Sequence, residues 1–354
     1  MQVVSSAPLN RPEALRILLP HTLTEASVQA PPAAAQLLTL AGETMGTTWS
    51  VQCLVTDARN DWRAAIEAEL DDVVLQMSNW RADSDISRFN QAAAGEWVTL
   101  PVACFQVVAT ALHIARLSGG AYDPTAAALV NLWGFGPAPR REHAPSADQV
   151  VRARQHCGYQ KIEVDAPMRR IRQPGDMALD LCAIAKGYAV DAVSAMLAAN
   201  GCMHHLVEIG GELRGMGLRP DQLPWWVDLE APPLDDAARG QTALPVQDRV
   251  GLHGLAIATS GDYRRFFIDS AQRQRYAHTL DPRTGYPASH ALASVTVLHE
   301  QCMLADAWST ALTVLGPQAG MEMARRHQLA ARFVVRSADG FRETLSPAYL
   351  EMLE

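Results

Sequence analysis

The sequence is short of positive charge: 30 Lys and Arg against 38 Asp and Glu leave its 354 residues with a formal net charge of −8. No basic block or basic helix interrupts that pattern. This argues against nucleic-acid binding, because neutralising phosphates takes clustered Lys and Arg. An acidic chain that handles a polyanionic nucleotide needs local compensation, and a metal ion is the obvious candidate. Paired cysteines are missing too. Cys53, Cys104, Cys157, Cys182, Cys202 and Cys302 are dispersed, with no CxxC, so neither a zinc site nor a disulfide scaffold is suggested. Buried free thiols fit better and favour a reducing compartment. Long apolar runs are also absent. The stretch Leu15 to Leu19 is closed by Pro20 and His21 and lacks the apolar core and cleavage site of a signal peptide. No cysteine lies near the N-terminus to carry a lipid anchor. These absences predict a cytoplasmic protein without a transmembrane segment, or a periplasmic one if an export signal is missing. What is present, 48% hydrophobic and 19% charged residues, is enough for one large domain or two closely packed lobes.

Residues 1–41 hold Pro8, Pro12, Pro20, Pro31 and Pro32 with an Ala run, which reads as a poorly ordered lead-in. The folded body, residues 42–354, is expected to be a single domain. Trp49, Val51, Cys53 and Val55 alternate with polar residues as in a half-buried strand. Ile66, Leu70, Val73 and Met77 recur at helical spacing over Asp61 to Ser78. A second helix carries Phe105, Val108, Leu112 and Ala115 and stops before Gly119-Gly120. A third runs from Ala183 to Gly201. Short strands follow over Leu206–Ile209, Leu213–Met216, Trp226–Leu229, Leu255–Ala258, Tyr276–Leu280 and Ser294–Leu298. A late helix, Leu304 to Leu315, precedes the strand Phe333–Val335. Strand clusters interrupted by helices predict an α+β fold with mainly antiparallel sheets. The stretch from Pro220 to Val250 reads as an irregular insertion or long loop.

Four segments carry more Gly, Asp and Thr at turns than packing requires. In Ser118-Gly-Gly-Ala-Tyr-Asp-Pro-Thr125 the paired glycines let backbone approach a ligand, and Asp123-Pro124 fixes a turn. A simple helix exit would look the same. Leu179 to Ala189 passes from a short strand into a helix, so backbone groups and Lys186 can sit near phosphate. A surface lysine paired with a carboxylate is the alternative, and without GxxxxGK[ST] the segment is no P-loop. His278, Asp281 and Arg283 fall within six positions on a strand end and turn. They suit a proton acceptor beside an ion pair, or a purely structural Asp–Arg turn. Asp306 and Thr310 are i and i+4 on one helix face. A carboxylate and a hydroxyl there are two hard oxygen ligands, as Mg²⁺ prefers, although such a pair is commonplace on a helix surface.

Together these segments resemble one family, in order, over roughly residues 42 to 340. They are Glu43-Thr-Met-Gly-Thr47, Met77 to Asn90, Ser118 to Thr125 and Leu129-Val-Asn-Leu-Trp-Gly-Phe-Gly136. The set continues with Asp180 to Tyr188, Val207 to Glu212, Ala258 to Tyr263, His278 to Gly285 and the Asp306 helix. The sequence resembles the FAD:protein FMN transferases, the ApbE family, whose T-fold-related domain has two intimately associated lobes.

The resemblance implies that Met45, Trp80, Ala121, Tyr122, Asp123, Asp180, Lys186 and the Leu280 backbone line an FAD site. It implies Mg²⁺ held by the Ala183 carbonyl, Asp306 and Thr310, with His278 assisting deprotonation of the acceptor hydroxyl and Asp306 also catalytic. The implied reaction moves FMN from FAD onto a Thr or Ser hydroxyl of an acceptor protein through a phosphoester and releases AMP. Two rivals are an FAD pyrophosphatase, with water as acceptor, and a non-catalytic FAD-binding or delivery protein. The family usually has Tyr where Trp80 stands, and some relatives place a carboxylate at the position of Ser309.

Overall fold

The computed structural model describes residues 15–353 apart from 22, 24–27, 58–60, 234–245, 270, 272 and 339. Its centre is an eight-stranded sheet. In spatial order the strands are Gly340–Leu345, Ala330–Ser337, Leu292–His299, Leu255–Gly261, Glu212–Met216, His205–Ile209, Thr47–Val55 and Gln36–Thr44. Each neighbouring pair in this sheet is antiparallel.

Successive side chains on a strand point to opposite faces, and this sheet is apolar on both. Val51, Val207, Ala256, Val297 and Phe333 face a large core. Their neighbours Leu206, Ile257, Leu298 and Ala330 face a smaller one. The helices Trp62–Met77, Val102–Leu117, Ala185–Ala199 and Cys302–Arg326 cover the large core. Behind the sheet, a three-stranded sheet of Leu15–Leu18, Gln247–Leu252 and Trp225–Asp228 closes the smaller core together with Tyr349. The α+β class and the mainly antiparallel pairing therefore hold. One exception is Leu15–Leu18, which runs parallel to its partner.

The helices read from periodicity lie where they were expected, within a few residues. The late helix continues to Arg326, but Gly316, at φ 80°, breaks it before Pro317, so its first segment ends where the sequence pattern does. The lead-in differs from expectation. Gln36–Thr44 is bonded along Thr47–Val55, and Leu15–Leu18 is a strand, so folding begins well before Gly42. The five prolines lie outside both strands, and their density over the whole stretch hid two short extended pieces. Residues 1–14 lie outside the described residues. The insertion read over 220–250 likewise contains strands at both ends, and 234–245 lie outside the described residues. Among the described residues, no helix is long and apolar enough to cross a membrane.

Candidate active site

The helices Ala185–Ala199 and Cys302–Arg326 cross at Gly187. A Cβ at Gly187 would lie 2.4 Å from the Cys302 carbonyl oxygen and 2.9 Å from Asp306 Cβ, so only glycine fits there. The close approach lets the Gly187 amide donate to Asp306 Oδ2 at 3.1 Å, instead of to the Ala183 carbonyl four residues back. One turn further along, Asp191 caps the partner helix, accepting from the amides of Cys302 at 3.0 Å and Met303 at 2.9 Å. Those amides would otherwise be orphan donors of the first turn. Gly187 and Asp191 thus fix the register between the two helices, and with it the position of Asp306 beside Ala183.

Asp306 is only 4% exposed. It is not the helix-surface carboxylate that the i, i+4 pattern alone suggested, because its face packs on a second helix. Burial pushes its carboxyl above the usual range; Lys186 pulls it back and Glu212 adds to the rise. Lys186 Nζ is 2.5 Å from Glu212 Oε1. Burial works against the Lys186 ammonium, but Glu212 and Asp306 outweigh that and hold its pKa above the ordinary value.

These residues open onto a cavity of about 350 Å³. Asp123, Asp180, Ala183, Lys186, His278, Leu280, Asp306 and Thr310 all line it. Met45, Ala121 and Tyr122, also drawn from the sequence, line it too. Met45 adopts φ 50° in the hairpin turn ahead of Gly46, a left-handed conformation uncommon for a bulky residue. Asp123 accepts from the Thr125 amide at 2.8 Å, the Thr125 hydroxyl at 2.6 Å and the Tyr159 amide at 3.1 Å. Burial nevertheless raises its pKa. Asp180 donates its amide to the Pro124 carbonyl at 2.7 Å, joining two of the sequence segments, and accepts from the Cys182 amide at 2.8 Å.

His278 has a defined tautomer. Its Nδ1 lies 3.0 Å from the Arg265 carbonyl; a carbonyl only accepts, so Nδ1 carries the proton and Nε2 keeps its lone pair. Burial pushes its pKa down to about 4, leaving the ring neutral at pH 7.

Trp80 does not line the cavity. It is 55% exposed, and the residue before it, Asn79, accepts through Oδ1 from the Cys182 thiol at 3.7 Å, a residue that does line the cavity. Trp80 is a rim residue. Cys182 is also the exception to the expectation of buried thiols, being exposed while the other five cysteines are buried. Ser309 stands behind the wall. It donates to the Asp306 carbonyl at 2.9 Å and meets Ser260 Oγ at 2.7 Å, and that hydroxyl lies 3.2 Å from Thr310 Oγ1. Several wall residues were given no role from sequence, among them Glu212, Ser260, Arg264, Arg265 and Phe135. The one local signal for Glu212 is the Gly210-Gly211 turn before it, with φ 63° and 101°.

Among the described residues, no cluster of three or more His, Cys, Asp and Glu could hold a metal. The available donors are of another kind. Among the described residues, nothing donates to Asp306 Oδ1, the Ala183 carbonyl is freed by the diversion of the Gly187 amide, and Thr310 offers a hydroxyl. All three are hard oxygens, the chemistry that suits Mg²⁺.

A buried cavity with carboxylates, a paired lysine and a histidine with one free ring nitrogen is the site of an enzyme acting on a charged ligand. The ApbE family model matches residues 45–333. The chain is 36% identical over 323 residues to the FAD:protein FMN transferase of Vibrio cholerae, covering 90% of this chain and 93% of that one. It is 36% identical over 327 residues to the enzyme of the same name from Haemophilus influenzae, covering 90% and 92%. The solved flavin transferase ApbE from Vibrio cholerae matches with a TM-score of 0.81 at 35% identity, over 90% of this chain and all 100% of that one. The apo flavinyl transferase ApbE of Pseudomonas stutzeri matches with a TM-score of 0.80 at 39% identity, over 90% and 97%. This chain belongs to the ApbE family, and it is a transferase.

Proposed function

We propose that the chain transfers FMN from FAD to a Thr or Ser hydroxyl of an acceptor protein in an Mg²⁺-dependent reaction, releasing AMP. The observation that carries this reading is the convergence of His278, Lys186, Asp306 and Thr310 on one cavity from distant parts of the chain. His278 Nε2 takes the proton of the acceptor hydroxyl. The oxygen then forms a bond to the FMN-side phosphorus, the bridging P–O bond breaks, and AMP leaves with the electron pair. Asp123 and Asp180 order the turns against which the donor lies, and Lys186 sets a positive charge beside its phosphates. Positioning and charge neutralisation dominate such a transfer. The Ala183 carbonyl, Asp306 and Thr310 would hold Mg²⁺, whose charge would offset that of the pyrophosphate.

The test is to incubate the full chain with FAD, Mg²⁺ and a folded candidate acceptor. AMP should appear in step with an acceptor gaining the mass of FMN. AMP and free FMN with an unlabelled acceptor would instead establish a pyrophosphatase. Binding of FAD without turnover would establish a carrier.

A further inference from the structure

The Leu-Trp-Gly-Phe-Gly segment ending at Gly136 is only partly used by the cavity. Phe135 also lines a second hollow of about 280 Å³ that adjoins the first. Arg264 and Arg265 are shared by the two hollows; Arg140, Arg141, Phe266 and Phe267 belong to the second alone. The Phe135 ring stands edge-on to His278, with centroids 6.3 Å apart at 72°, and lies 5.8 Å from Phe267. The Arg265 guanidinium sits 5.9 Å from the Phe135 ring centre. One aromatic ring is therefore shared by the His278 site and a groove of arginine and phenylalanine.

Much of the charge of this groove is uncompensated. Arg264 pairs with Glu230 at 2.6 Å. Among the described residues, Arg140, Arg141 and Arg265 have no carboxylate within ion-pair distance, and Arg141 donates only to the Leu132 carbonyl at 3.0 Å. Glu142, beside them in sequence, makes no ion pair with any of the three. In a chain of net charge −8, three unpaired guanidinium groups at one mouth are a local reversal of sign. Guanidinium is shaped to take a carboxylate in a two-pronged hydrogen bond. Phe266, 43% exposed, and Phe267 add the apolar contact typical of the centre of a protein interface.

We infer that this groove docks the acceptor polypeptide through carboxylates flanking the hydroxyl that receives FMN, an inference that rests on the transferase reading above. The geometry favours a polypeptide because Phe135, which lines both hollows, stands edge-on to His278, the proposed acceptor of the hydroxyl proton, while Lys186 lines only the first hollow.

The test uses the full chain with FAD and Mg²⁺ and an equimolar pool of synthetic peptides. Each peptide has a single Thr, flanked by Asp, Asn or Lys, and FMN-bearing products are counted by mass spectrometry. The unaltered chain should label the Asp-flanked peptides preferentially. In Arg140→Glu/Arg141→Glu, whose sites lie outside the catalytic cavity, that preference should vanish. The KM for an Asp-flanked peptide should rise about tenfold or more, with kcat within about twofold, because like charges meeting across an interface oppose association. FAD affinity should not change. If the double variant fails to fold, Arg140→Glu alone repeats the measurement, since Arg140 is exposed and unpaired. Equal labelling of all three peptide types overturns the inference. So does weakened FAD affinity in the variant, which would give the groove to the donor. FAD turnover with no peptide labelled in any pool would overturn the transferase reading, and this inference with it.

Discussion

The two faces of the central sheet treat buried charge in opposite ways. Behind the sheet, Asp248 is fully buried and saturated by protein. It accepts from Arg16 Nε at 2.5 Å and Arg16 Nη2 at 3.0 Å, from the Tyr349 hydroxyl at 2.6 Å, and lies 3.3 Å from Arg332 Nε. Glu343 shares both arginines. In front, Glu212 Oε2 and the Tyr122 hydroxyl are buried with no partner among the described residues, and none of those residues donates to the second oxygen of Asp306. A buried polar atom without a partner costs about 1–3 kcal/mol. The rear cluster avoids that cost by closing on itself; the front carries it where a ligand can remove it. Incomplete hydrogen bonding, more than the number of charges, separates the functional face from the structural one.

Substitutions can break that contrast from either side. The largest effect is expected at the rear, where Asp248→Ala should lower stability by about 3–5 kcal/mol, as for a broken buried ion pair. A denaturant titration measures this, and activity per folded molecule should be unchanged. At the front, Asp306→Asn should lower turnover on the order of a hundredfold, the scale for loss of one charge-stabilising group. The Asn side-chain oxygen still accepts from Gly187, so the thermal melt should stay close to that of the unaltered chain. A near-normal rate in that variant would remove Asp306 from the chemistry. Trp80→Ala should weaken FAD binding by about 1 kcal/mol, the low end for aromatic stacking, since a rim residue shields less than a wall residue; a fluorescence titration with FAD checks it.

The smallest effect concerns pH. With the His278 pKa held at about 4, His278 should contribute a limb to the pH–rate profile centred near 4, below the limb from the Asp306 carboxyl, which burial raises. The folded pKa lies below the ordinary 6.5, so the folded state binds this proton less readily than the unfolded chain. The stability His278 contributes is present above 6.5 and is lost as pH falls toward 4. A pH–rate profile beside a pH–melt series separates the two. A midpoint that His278→Asn leaves in place would assign the titration to another group.

Only the front half of this contrast is legible in the sequence, because Arg16 falls in the stretch expected to be a lead-in and Asp248 in the one expected to be an insertion. Turn-rich segments around Asp123, Asp180 and His278 advertise a site because Gly, Asp and Thr at such density have no packing purpose. Helix periodicity located the long helix and its end at Leu315. What stayed hidden depends on partners far away in the chain. Glu212 matters through Lys186, Asp191 through the amides of Cys302 and Met303, and the burial of Asp306 through Gly187. No local period encodes such pairings. The resemblance implies that Trp80 lines the FAD site, yet the residue is 55% exposed and outside the cavity lining, and exposure is not encoded in a local motif. The strands Leu15–Leu18 and Gln36–Thr44 were masked by the prolines around them.

The contact between Gly187 and Asp306 joins residues 119 positions apart, and this has a bearing on when the protein becomes competent during its own synthesis. The ribosome adds about 5–20 residues per second, so the later residue trails the earlier one by on the order of ten seconds. In that interval the nascent chain carries the turns of Asp123 and Asp180 but neither Asp306 nor Thr310. Under the proposed chemistry it can meet FAD in that state without cleaving it. Competence under that chemistry requires the long helix that carries Asp306 and Thr310 to be seated against Gly187 under its Asp191 cap.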